Sequence, residues 1–129
     1  MATIKSFTDI PQSKKLAEFL PLESADLSYM SFDNHITLCP YDKVINDGFD
    51  KDEVIPCWSL AALLEQLPYE VCDDDGNSFY LQINKENDIY QLTYTDPYED
   101  FDVIETDRHE HFVDACYEMI IRLNELKML

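Results

Sequence analysis

Residues 108–119, "RHEHFVDACYEM", set His109, His111, Cys116 and several charged groups within twelve positions. Those residue types can ligate a metal or form a Cys–His nucleophile pair. Their spacing decides against both. On a helix each residue turns about 100°, so the two histidines stand about 200° apart and cannot grip one ion. A zincin H-E-x-x-H pattern requires histidine at 113, where Val113 stands. His109 and Cys116 share a helical face but lie roughly 10 Å apart along the axis. His109 therefore reads as an edge-of-core histidine, and His111 as a solvated one near Asp114. His35, at a hairpin turn, is a third imidazole that folding could bring close.

A second cluster, "VCDDDGNSFYLQ", has the look of a calcium loop. With Gly76 at the invariant sixth position, Val71 and Gln82 occupy the first and twelfth, where an EF-hand needs Asp and a bidentate Glu. A reverse turn fits better, since Asp, Gly and Asn supply turn geometry. Asp73, Asp74 and Asp75 remain as weak candidates for a cation. "NDGFDKDE" fails the same alignment at Lys43 and Val54. Gly48 and Gly76 are the only glycines, so no Walker loop, dinucleotide fingerprint or nucleophile elbow exists. Neither a catalytic residue nor a cofactor is expected.

Charge bounds the function next. The chain of 129 residues carries 27 acidic and 9 basic side chains, a formal net charge of −18. Residues 65–107 hold thirteen acidic groups against Lys85 alone, a balance of −12. Such a surface repels phosphates and disfavours direct nucleic-acid binding. It attracts a basic protein, or simply keeps a small protein soluble and monomeric. The interaction surface is expected among Tyr98, Glu99, Asp100, Asp102 and Glu105, where a tyrosine and four carboxylates lie together.

The elements that must hold these groups follow from periodicity. A helix is expected over 10–20, with Asp9 as cap and Pro11 in the first turn. Strands 27–32 and 35–40 flank Asp33 and Asn34, a tight hairpin turn. Residues 42–56 show no period and read as an acidic loop. Ser59 caps a helix to 67, with Trp58 and Leu63 as hydrophobic staple. "SFYLQIN" and "IYQLTYT" alternate apolar and polar residues and read as antiparallel strands, each with one buried face; 69–72 is a weaker strand. The last helix spans 108–126. Asp107 and Glu110 form a box-like cap, and Phe112, Ala115, Cys116, Met119, Ile120 and Leu123 form its stripe. Tyr117 and Ile121 widen that stripe, so the helix could also serve a homodimer.

The expectation is one α+β domain over 1–129, an antiparallel sheet of four to five strands with two to three helices packed on it. No run is long and apolar enough to span a bilayer, and the N-terminus lacks the features of a signal peptide. Cys39, Cys57, Cys72 and Cys116 form no C-x-x-C pair and are expected to be buried thiols, so the expected compartment is the cytoplasm.

"IPCWSLAALLEQLP", "YLQIN…IYQLTYTD" and "HFVDACYEMIIRLNEL" together resemble small proteins of gut Bacteroides-type genomes and prophage regions, the phage α/β/α sandwich domain family. The resemblance covers about residues 56–126, and its shared features are caps and core stripes. It implies no catalytic residue. The alternating strands depart from it, suiting a sheet covered on one face. The expected function is a non-enzymatic interaction module of a mobile element or gut bacterium that binds a basic partner, in one version as a DNA mimic. The alternative is a small metal-dependent hydrolase using the acidic loop.

Overall fold

The computed structural model describes residues 4–32, 35–46, 54–98 and 102–129. The fold is α+β. Among the described residues, seven strands form two antiparallel sheets, ordered β2-β1-β3 and β4-β5-β6-β7. The expected single sheet of four to five strands is thus replaced by one of three and one of four. The chain divides into two compact units, Ser6–Leu63 and Met1–Lys5 with Leu64–Leu129.

In the first unit, α1 (Ile10–Leu16) starts at Asp9, which accepts from the Gln12 N–H at 2.9 Å while Gln12 returns a bond to the Asp9 N–H. It ends at Leu16, short of the expected Leu20, and a turn leads on to Pro21. β1 (Leu27–Phe32) pairs with β2 (His35–Pro40) from Leu27↔Pro40 to Phe32↔His35, the predicted hairpin. The aperiodic segment holds two unforeseen elements, α2 (Tyr41–Asn46) and β3 (Ile55–Cys57). Tyr41, Val44 and Val54 form a small core with Met30, and that burial, rather than a long period, supports α2. Ser59 caps α3 (Leu60–Gln66) as predicted, its Oγ accepting from the Ala62 N–H at 3.2 Å.

Thr8 is the buried hub of this unit. Its Oγ lies 2.7 Å from Ser13 Oγ and accepts from the Trp58 N–H at 3.2 Å, and its carbonyl accepts from Tyr29 Oη at 2.6 Å. The Thr8 N–H donates to the Trp58 carbonyl at 2.9 Å. Buried polar groups are costly unless paired, and here each finds a partner.

The second unit is a meander of β4 (Glu70–Cys72), β5 (Ser78–Glu86), β6 (Ile89–Thr95) and β7 (Asp102–Glu105), with α4 (Phe112–Glu125) packed on β6. Asn87 and Asp88 have φ of 50° and 61°, the left-handed pair of a tight two-residue hairpin. Val71, Phe79, Leu92, Tyr94 and Ile104 are buried on one sheet face, and Phe112 stacks on Tyr90 at 5.0 Å on the same side. Two expectations fail here. Ile83 shares that face but is 46% exposed, because β5 runs past the helix towards the hairpin tip. Thr93 and Thr95, on the face expected to be wet, are 1% and 4% exposed.

The last helix also starts later than predicted. Thr106–His109 remain extended against β6: Tyr90 and His109 exchange both backbone hydrogen bonds, at 2.7 and 2.9 Å. Asp107 and Glu110 therefore form no capping box, and His111 occupies the N-cap position without a side-chain cap bond. From Phe112 onward the stripe holds, with Val113, Ala115, Cys116, Met119, Ile120 and Leu123 buried. These side chains are covered within a single chain, whereas Tyr117 and Ile121, which widen the stripe, are half-buried.

Met119 is fully buried and Ile83 half exposed. Met119→Ala should cost about 2–5 kcal/mol, and Ile83→Ala less than about 1 kcal/mol. Urea-unfolding midpoints of the two variants check the ranking.

Candidate interaction surface

The residues that opened the question are joined by Glu118. His109 Nε2 lies 2.7 Å from Glu118 Oε1, and Arg122 Nε donates to Oε2 at 2.6 Å. The Asp107 N–H donates to both oxygens, at 3.0 and 3.2 Å. Burial raises the Glu118 pKa, but the bonds from His109, Arg122 and the Asp107 amide outweigh it and hold the carboxyl below its ordinary value. This carboxylate ties the 106–109 segment to α4. The Glu118–Arg122 pair was legible at i,i+4; the His109 bond was not, because His109 was expected on the helix. His111, on the N-cap, joins no such cluster. Cys116 is fully buried, and desolvation pushes its thiol up to about 12. Burial therefore disfavours the thiolate that nucleophilic chemistry needs.

The acidic turn has equally local uses for its oxygens. The Asp73 carboxylate accepts from the N–H groups of Asp75 and Asn77 at 3.0 and 2.9 Å, and from Asn77 Nδ2 at 3.1 Å. The bonds from Asn77 lead in holding its pKa below the usual value. Gly76 takes φ +84°, which completes the turn. Asp74 and Asp75 are exposed. Among the described residues, no three His, Cys, Asp or Glu side chains are placed to hold a metal ion.

Tyrosines and carboxylates gather instead at the β4 edge of the four-stranded sheet. The register sets Glu70 opposite Tyr80, and Tyr80 opposite Thr95, on one face. Tyr69 precedes β4 and lies against Tyr80, ring centroids 5.4 Å apart. Tyr69 is 74% exposed and Tyr98 95%. The Glu70 charge leads in raising the Tyr80 pKa, and Tyr69 and Tyr98 add to it, as expected of neighbouring groups. Of the residues expected to form an interaction surface, Tyr98 and Glu105 are exposed, while Asp102 pairs with Thr95 through β7. Glu99 and Asp100 lie outside the described residues. Tyr69 and Glu70 were missed. The available signal was an aromatic directly after Pro68, ahead of a strand too short to bury it.

The cysteines divide as well. Cys57 and Cys116 are buried and Cys39 half-buried, whereas Cys72, contrary to expectation, is exposed on β4. Comparison with family models, with curated proteins and with solved structures found no match.

Two measurements follow. A lowered carboxylate pKa contributes stability at neutral pH that disappears as the pH falls through the folded-state value. Glu118→Ala should lose about 1.5–3 kcal/mol at pH 7 and should flatten the acid limb below the ordinary carboxylate range, as read by denaturation at stepped pH. In native protein a thiol-alkylating reagent should modify Cys72 rapidly and leave Cys57 and Cys116 untouched until unfolding, a pattern that peptide mass mapping resolves.

Proposed function

We propose that this chain is a non-enzymatic interaction module that engages a basic protein through the tyrosine- and carboxylate-bearing β4 edge. The carrying observation is the exposure of Tyr69, which lies against Tyr80 opposite Glu70, together with that of Tyr98. Tyrosine is enriched at interfaces because a rigid ring and a polar tip contact a partner at low entropic cost. Ring faces attract guanidinium and ammonium groups, and a nearby carboxylate strengthens the attraction. The protein uses the same contact internally, where Lys85 Nζ lies 5.4 Å from the Tyr90 ring centre.

The net charge of −18 supplies the long-range part. It draws a cationic partner in, faster at low salt, and it repels nucleic-acid phosphates. Cytoplasmic residence and a mobile-element or gut-bacterial source belong to the same proposal and rest on the sequence features given above. In the mimicry version the partner is a DNA-binding protein, and DNA competes for it.

Calorimetric titration of the full chain with an arginine-rich peptide tests the reading. Binding at low salt should weaken steeply as salt rises. The double variant Tyr69→Ala, Tyr98→Ala should lose about tenfold in affinity with an unchanged melting midpoint. A double variant that binds like the parent would remove the edge from the interaction, and no heat at low salt would remove the basic partner.

A further inference from the structure

The outer end of the β5–β6 hairpin carries a feature that the interaction edge does not use. A cavity of about 150 Å³ is lined there by Asn84, Glu86, Asn87, Ile89, Gln91 and Arg108. Its composition follows from register. Asn84 stands opposite Gln91, and Glu86 opposite Ile89, on the sheet face away from α4. Asn87 is the first left-handed residue of the hairpin turn. Arg108 arrives because Tyr90 and His109 bridge, which sets the preceding residue beside Gln91.

The bonding state of these groups is unusual for so acidic a chain. Of the two arginines, Arg122 is paired with Glu118, whereas Arg108 makes no hydrogen bond or ion pair among the described residues. The side chains of Asn84, Glu86 and Asn87 make no hydrogen bond there either. Gln91 is the exception. Its Nε2 donates to the Thr106 carbonyl at 2.8 Å, which fixes the amide and leaves its Oε1 as an acceptor. Glu86 and Arg108 share the cavity wall but stand too far apart to pair with each other.

We infer that this cavity is a binding site for a small zwitterion, a free α-amino acid with a short side chain. Arg108 takes the carboxylate, for which a guanidinium offers two parallel donors. Glu86 and the Gln91 Oε1 take the ammonium, the amides of Asn84 and Asn87 fill the remaining bonds, and Ile89 meets the side chain. A simple anion meets repulsion from Glu86 and from the net charge; a simple cation meets repulsion from Arg108. A ligand carrying both charges satisfies both walls, and the volume holds only a few heavy atoms.

The test is titration of isotope-labelled full chain with L-alanine, followed by NMR, with acetate and methylammonium as single-charge controls. L-alanine should shift the side-chain amide signals of Asn84, Asn87 and Gln91, and each control should bind at least about tenfold more weakly. Arg108→Gln should abolish the response while the rest of the spectrum is unchanged, since Arg108 is exposed and unpaired. Glu86→Gln should erase the preference for L-alanine over acetate. Absence of shifts at millimolar L-alanine, equal binding of acetate, or an Arg108→Gln protein that still responds would each overturn the assignment.

Discussion

Burial of β6 from Leu92 to Thr95 on both faces is the constraint on which the second unit rests. Leu92 and Tyr94 are fully buried on the face that carries α4, and Thr93 and Thr95 are nearly so on the other. A strand covered twice must satisfy its polar groups internally. The Thr93 and Thr95 hydroxyls lie 3.3 Å apart, and Tyr94 Oη donates to the Pro68 carbonyl at 2.6 Å. That last bond ties the core to the chain just before β4, and so helps to set where Tyr69 and Glu70 emerge. The exposed edge is thus positioned by a buried one.

The same strand explains where α4 begins. After β7 the chain continues alongside β6 through Thr106 N–H to Leu92 carbonyl at 3.0 Å and through the Tyr90–His109 bridge. Extended pairing of Thr106–His109 competes with helix for the same backbone groups, and pairing wins because it completes the cover of a buried strand. Glu118 then reaches back from α4 and accepts the Asp107 amide. A local cap was available in Asp107 and Glu110, but a capping box contributes only about 1 kcal/mol, less than several buried hydrogen bonds and the Tyr90–Phe112 stack together.

What could be foreseen from the residues divides along this line. β1 and β2 were legible from the Asp33–Asn34 turn signal between them, β5 and β6 because each alternates with period two, and α3 because Ser59, Trp58 and Pro68 mark its ends. The stripe of α4 from Phe112 was legible; its start was not, since a tertiary bridge overrode the local cap. β3 and β7 are three and four residues long, too short to show a period. α2 is held by the burial of Tyr41 and Val44 beside Met30 and Val54, partners distant in sequence. His109 and His111 were read at helical angles, but His109 lies in extended chain and His111 at the cap. Tyr98 and Glu105 were legible as exposed residues, and Tyr69 was not, because its partner Tyr80 lies across a strand pair.

The distribution of cations gives the electrostatics two separate layers. Lys5 pairs with Asp114 at 2.7 Å, and Arg122 with Glu118 at 2.6 Å, both on α4. Glu118 is mostly shielded from solvent, so its bonds are weakly screened and fix the loop–helix junction at any ordinary ionic strength. The exposed excess of carboxylates on the turns and edge strands has no such shielding. Its field reaches only about a Debye length, roughly 8 Å at physiological salt, and therefore acts on what approaches the surface rather than on the fold. Among the described residues, the shielded charges on α4 are thus neutralised locally, while exposed carboxylates such as Asp74 and Asp75 act on what approaches. In that setting Arg108, exposed at the cavity rim and without a hydrogen bond or ion pair among the described residues, stands apart from both layers: its charge neither braces the fold nor adds to the acidic field.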